Sequence, residues 1–201
     1  MPRTSERGGP QTRARIREAA SLLFYERGYE AVTVAEVARA AGVSSVTVFN
    51  HFPRKEDLFF DRTTDAVELL QAAIRGRDPD TDVLTALEDL SLRLFDERHP
   101  LSGVDPRSDE FFRTVAESPS LISRAREIAA QLRIVLAEEL ERDGAFSGDA
   151  PLLAALFIAG YSLMLVTTAR QVLEGRRGAD MLDDHRARLE RLFAALRDGV
   201  A

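Results

Sequence analysis

The chain has 201 residues, 45% hydrophobic and 30% charged, with a formal net charge of −6. That composition excludes global disorder and fits a globular chain with room for one large domain, or a small domain joined to a larger one. With no cysteine present, disulfides, zinc–thiolate sites and thiol catalysis are excluded as well.

The charge is unevenly placed. Residues 1–55 hold nine basic and five acidic side chains, a net of +4, whereas the remainder holds 18 and 28, a net of −10. A basic end on an acidic body directs that end toward phosphate. Lys55 is the single lysine among 27 basic residues, an arginine bias that reads as the mark of a GC-rich genome.

In chain order, residues 1–10 read as a flexible basic arm ending in Gly8-Gly9-Pro10. The start is polar and lacks the apolar stretch of a secretory signal, so the expected location is the cytoplasm. Helical spacing then links Ile16, Ala19, Ala20, Leu23 and Phe24, with Thr12 as the expected N-cap and Gly28 as the stop. Thr33-Val34-Ala35-Glu36 has the form of a capping box, opening a short helix that buries Val34, Val37, Ala38 and Ala41. Gly42 supplies a left-handed turn, and Ser44 caps a third helix through His51. After the Pro53-Arg54 interruption, helices are predicted over 55–75, 82–98, 108–117, 120–142, 151–174 and 181–198. No alternating run is long enough for a strand, so the expected class is all-α.

Two short helices joined by Ala41-Gly42-Val43-Ser44 form a helix-turn-helix, whose second helix enters the DNA major groove in proteins that use it. From Ile16 to Leu58 the sequence resembles the TetR family of bacterial regulators. The likeness rests on Thr33 as cap, Ala41-Gly42-Val43-Ser44, Thr47 with the aromatic Phe49, His51-Phe52, and Lys55 followed three residues on by Leu58. The resemblance implies a three-helix DNA-binding domain over 11–54 and a helical ligand-binding and dimerisation domain over 55–201. It places Thr33, Ser44, Ser45 and Thr47 where family members donate to phosphates or bases, Asn50 on the recognition face, and Lys55 on phosphate. His51 also carries donors suited to DNA oxygens. At Phe49 the family often has tyrosine, and at Val46 a small residue, so Val46 can touch a thymine methyl instead.

The expected DNA-binding set is thus Thr33, Ser44, Ser45, Val46, Thr47, Phe49, Asn50, His51 and Lys55. Local roles compete with several of these. Thr33 and Ser44 are N-caps with or without DNA; Phe49 and Phe52 read as core plugs, Phe52 above all; His51 can simply end a helix on the surface. Arg13, Arg15 and Arg17 fit either a solvated face or backbone contact.

Residues 150–168 carry no charge over a membrane-spanning length. Pro151, Gly160, Tyr161, Ser162 and two threonines interrupt the run, and no strong positive cluster flanks it, so a helix buried on several sides is expected and no membrane partner. The resemblance implies a homodimer through this helix and the last one. Leu153, Leu156, Gly160, Met164 and Leu165 are assigned to the interface, with Leu189, Leu192, Phe193 and Leu196 on the last helix, and plain intrachain core is the alternative that holds for some of them. A pocket for a small, hydrophobic effector is expected among Leu90, Leu94, Phe95, Phe111, Phe112, Val115, Leu121, Ile128, Leu132, Phe157 and Tyr161, with plain core packing as the alternative for each.

No cofactor or metal is expected. His51, His99 and His185 are far apart, Asp183-Asp184-His185 opens a surface helix, and Glu138, Glu139 and Glu141 read as a solvated face. Phosphate loops and nucleophile elbows are absent, so the chain is read as a regulator and not an enzyme. A homodimeric repressor, released from a palindromic operator by its inducer, is the expected function. An activator, or a small-molecule module or enzyme with a degenerate DNA-binding end, stays open.

Overall fold

The computed structural model describes residues 9–176 and 179–200, and every regular element among them is helical. In order these are α1 (Gly9–Arg27), α2 (Val34–Ala40), α3 (Ser45–His51), α4 (Lys55–Phe59) and α5 (Thr63–Arg75). There follow α6 (Val83–Asp96), a 3-10 turn (Pro100–Ser102), α7 (Ser108–Glu117), α8 (Pro119–Arg142), α9 (Ala150–Leu173) and α10 (Ala179–Val200). Helix α1 starts at Gly9, before the expected Thr12 cap. Gly9 and Pro10 form its first turn, where the missing proline N–H costs no hydrogen bond. Residues 1–8 of the expected arm lie outside the described residues.

The chain divides into two compact units. One runs to Asp61 and takes in Ser118–Leu121; the other comprises Arg62–Glu117 and the chain from Ile122 onward. In the first, Ile16, Ala20, Val37, Ala38, Val48, Phe52 and Leu58 are buried, drawn from one face of each of α1 to α4.

The single helix expected over 55–75 is broken at Phe60–Arg62. Neither glycine nor proline marks the break. Aromatic packing accompanies it: the Phe59 ring lies 6.2 Å from Phe24 and 5.6 Å from Tyr29, with Phe60 edge-on at 5.4 Å. This packing assigns α4 to the first unit, whereas the sequence pattern began the second domain at Lys55.

In the second unit Leu87, Leu90, Leu136, Leu140, Leu153, Phe157, Leu189 and Phe193 form the centre of one core. By length and composition α9 is able to cross a bilayer. One face of it fills this core, with Leu153, Ala154, Phe157, Met164, Thr168 and Val172 buried. A Cβ on Gly160 would run into the end of the Leu192 side chain, so any larger residue there must displace Leu192 to keep the α9–α10 approach. Glu139, expected on a solvated face, is buried. Arg75 grips it with two bonds of 2.6 Å, Arg142 adds one of 2.9 Å and Gln71 one of 3.1 Å. The Arg75 pairing leads in holding this carboxyl below its ordinary range.

Candidate functional site

Helices α2 and α3 are too short to persist alone, and their ends are fixed by side-chain caps. The Glu36 amide donates to Thr33 Oγ1 at 3.3 Å, while the Thr33 amide and hydroxyl donate to Glu36 Oε2 at 2.8 and 2.7 Å, completing the expected capping box. Arg27 reaches the other Glu36 oxygen at 2.7 Å. With the Thr33 bonds leading, these contacts hold the Glu36 carboxyl down at about 2. The chain turns at Gly42, φ +65°, with the Val43 amide donating to Ala38 O at 2.9 Å. Ser44 then caps α3 by accepting from the Thr47 amide at 3.0 Å, and the two hydroxyls lie 2.9 Å apart.

Helix α3 has two clearly different faces. Val48 and Phe52 are sealed in the core. Val46 is 69% exposed, Phe49 47% exposed, and Asn50 is exposed beside them. The spacing of three and four residues puts these three on one outward face. Phe49 is therefore not a core plug, whereas Phe52 is. Ser45, Thr47, His51 and Lys55 are half-buried at the margins, and Thr33 and Ser44 are exposed at their caps.

Two cations near this face have internal duties that the sequence pattern did not reveal. Arg13 Nη1 donates to His51 O at 2.6 Å, and its guanidinium lies 4.2 Å over the Phe52 ring, clamping α1 to the end of α3. Arg13 is therefore not simply part of a solvated face. The Lys55 ammonium sits 4.1 Å over the ring of the buried Tyr29, which fixes its stem at the start of α4. Ser118, at the return of the chain to this unit, donates to Glu30 at 2.6 Å.

In the body, the expected pocket and interface residues merge. Leu90, Leu94, Phe95 and Phe157 belong to the same buried core as Leu153, Met164, Leu189, Phe193 and Leu196, and Leu132, Tyr161, Leu165 and Leu192 pack against it. The Tyr161 hydroxyl donates to Leu101 O at 3.2 Å. Phe112 is buried near Gly103, while Phe111 is exposed and Val115 and Ile128 are half-buried. Leu121 falls in the first unit, apart from the other residues expected in the pocket. None of them lines the open cleft of about 430 Å³ bounded by Ile74, Arg75, Arg77, Glu139, Arg142, Asp143 and Gly144.

Most residues expected at the interface are covered within the chain itself. Leu153, Met164, Leu189, Phe193 and Leu196 spend their side chains on their own chain's core, and Gly160 is occupied by Leu192. Of the set only Leu156 is exposed; the apolar face that α9 leaves outward is Leu152, Leu156, Leu163, Val166 and Leu173. Its steps of four, seven, three and seven residues match the seam spacing of paired helices.

His185, expected at the start of a surface helix, is fully buried, with its ring stacked on Phe95 at 5.4 Å and Nδ1 2.8 Å from Thr168 Oγ1. Burial drives its pKa down to about 4. Among the described residues no group of three His, Cys, Asp or Glu side chains is placed to hold a metal.

A glycine turn between two short capped helices, followed by a separate helical unit, defines a helix-turn-helix protein with an all-helical body. Residues 16–61 match the model of the bacterial regulatory proteins of the tetR family. The chain is 30% identical over 152 residues to the HTH-type transcriptional repressor KstR2 of Rhodococcus jostii, covering 73% of this chain and 72% of that one. It is 33% identical over 100 residues to the HTH-type transcriptional regulator TtgR of Pseudomonas putida, covering 48% of this chain and 47% of that one, so it spans about half the length of that relative. The structure of Thermus thermophilus FadR, a TetR-family transcriptional repressor in complex with lauroyl-CoA, aligns with a TM-score of 0.55 at 25% identity, over 94% of this chain and 95% of that one. The chain belongs to the TetR family.

Proposed function

We propose that the protein is a homodimeric, sequence-specific DNA-binding repressor that a small, mainly apolar inducer releases from a palindromic operator. The observation that carries this is the outward face of α3, where Val46, Phe49 and Asn50 stand clear of a core held by Val48 and Phe52. Around it, Ser44, Ser45 and Thr47 offer hydroxyls at the start of the helix, and Thr33, His51 and Lys55 flank it with further donors. The Thr33 and Lys55 donors must leave Glu36 and share the Tyr29 ring to reach phosphate.

Dimerisation is assigned to the Leu152–Leu173 stripe of α9, which leaves five large apolar side chains in water on a single chain. Two copies would set their α3 helices in successive major grooves, roughly 34–36 Å apart. An apolar inducer is supported by the leucine- and phenylalanine-rich body core and by the acyl-CoA bound in the FadR structure. An inducer acts only through its preference for one spacing of the two DNA-binding units over the other. The protein works on DNA, so its place is the cytoplasm, and it needs neither cofactor nor catalytic residues.

Selection of bound fragments from random duplex DNA, at near-physiological salt with excess competitor, tests this directly. Enrichment of one palindromic site is the expected result, with affinity falling steeply as salt rises. Asn50→Ala is then expected to relax sequence preference, and Lys55→Ala to weaken all sites alike. No enrichment by folded, dimeric protein would sink the proposal.

A further inference from the structure

The side chains that most often read guanine in the major groove are arginine and lysine, which bond O6 and N7 together. Helix α3, with the sequence Ser-Val-Thr-Val-Phe-Asn-His, carries neither, in a chain with 27 basic residues. What it turns outward is a branched aliphatic side chain, an aromatic ring and an amide: Val46, Phe49 and Asn50. Among the described residues Val48 and Phe52 occupy the inward positions of the helix, and Val46 and Phe49 stay 69% and 47% exposed. In the major groove, the apolar group that distinguishes one base pair from another is the C5 methyl of thymine. A side-chain amide, for its part, fits the N6 and N7 edge of adenine.

Resting on the DNA-binding role proposed above, we infer that α3 reads an A·T core in each half-site. Val46 and Phe49 pack on thymine methyl groups, and Asn50 pairs with adenine. Discrimination at these base pairs then comes from burial of a methyl group, not from charge, and survives at salt concentrations that strip away phosphate contacts. A cytosine methylated at C5 presents the same apolar group, so it substitutes in part for thymine at these positions.

The test uses the full chain and the site recovered by fragment selection. Each thymine is replaced in turn by deoxyuridine, which removes the methyl and nothing else. Removing one buried methyl is expected to weaken binding about fourfold at one or two thymines in each half-site. In Val46→Ala or Phe49→Ala the difference between thymine and uracil shrinks to less than about twofold at the matching position, the sign that this side chain covers that methyl. Both residues are solvent-exposed, and an unchanged melting temperature confirms that the variants fold. Replacing uracil there by 5-methylcytosine, with its guanine partner, recovers part of the loss in unaltered protein only. Methyl removal without effect at every thymine, an effect that persists in both variants, or half-sites whose α3-facing pairs are all G·C would overturn the inference while leaving the DNA-binding role intact. No enriched site at all would overturn both.

Discussion

Helices α3 and α9 each present one buried and one exposed apolar face, yet they arrive there by different means. In α3 the two faces are set within seven residues: Ser44 fixes where the helix starts, and Val48 and Phe52 fall inward while Val46 and Phe49 fall outward. Helix α9 is apolar almost all round, and nothing local distinguishes Leu153, sealed in the core, from Leu152, left outside. Packing against α10 makes that choice, most plainly where Leu192 sits on Gly160. A short capped motif carries its orientation in its own residues, whereas a long apolar helix receives its orientation from its neighbours.

The largest expected effect separates the two faces of the body. Phe193→Ala, at a fully buried position, is expected to lower unfolding stability by about 3–5 kcal/mol in urea. Leu163→Arg, at a position 65% exposed, should leave chain stability nearly unchanged but convert dimer to monomer in sedimentation. A dimeric Leu163→Arg protein would break the assignment of the outward stripe.

Next comes the buried histidine. Its pKa in the folded chain is about 4, against an ordinary 6.5, because burial disfavours the charged ring. The unfolded chain binds the proton first, so stability is complete above pH 6.5 and falls as the pH drops toward 4, by about 3 kcal/mol. Urea midpoints across that range should show the slope, and His185→Gln should remove most of it. An equal slope in the variant would place the proton elsewhere.

Gly160→Ala sharpens the comparison from the α9 side. The added Cβ must displace Leu192, at an expected cost of about 1–3 kcal/mol, although alanine is the better helix former. A more stable variant would mean that the close approach of α9 and α10 is not needed. The smallest effect belongs to the first unit. Thr33→Ala removes the cap of α2 and is expected to cost about 1 kcal/mol, measured by thermal unfolding. In the unaltered chain the depressed Glu36 carboxyl contributes stability above its ordinary pKa of 4.5, lost as the pH falls toward 2; the variant should lose the part of that acid dependence that the Thr33 hydroxyl supplies, while the residue-33 amide and Arg27 keep the rest.

Much of the first unit was legible because its signals are local. A threonine three residues before a glutamate, a glycine where φ must be positive, and a serine before the next helix act through neighbours in the chain, and the capping box, the Gly42 turn and the Ser44 cap all appear where the pattern put them. The helical segments of the body were legible from their spacing for the same reason, with α7 spanning the predicted 108–117. Tyr29 beneath Lys55, and Arg13 on Phe52, left no such signal, since each pair meets only after α1, α3 and α4 have packed.

By itself, then, the sequence determined the all-helical class, the helix-turn-helix and the caps that fix where α2 and α3 begin, while the outward turn of Phe49 came only with the packed structure. Tertiary structure alone decided the break after Phe59, which no local breaker marks and which rings 5.6 to 6.2 Å apart accompany. It also decided that Glu139 and His185 are buried, and which leucines of α9 face solvent. The physical reason is common to all of these. Hydrogen-bonded caps and turns act over a few residues of chain, whereas apolar burial is non-directional and is settled only by which other elements arrive to cover a surface.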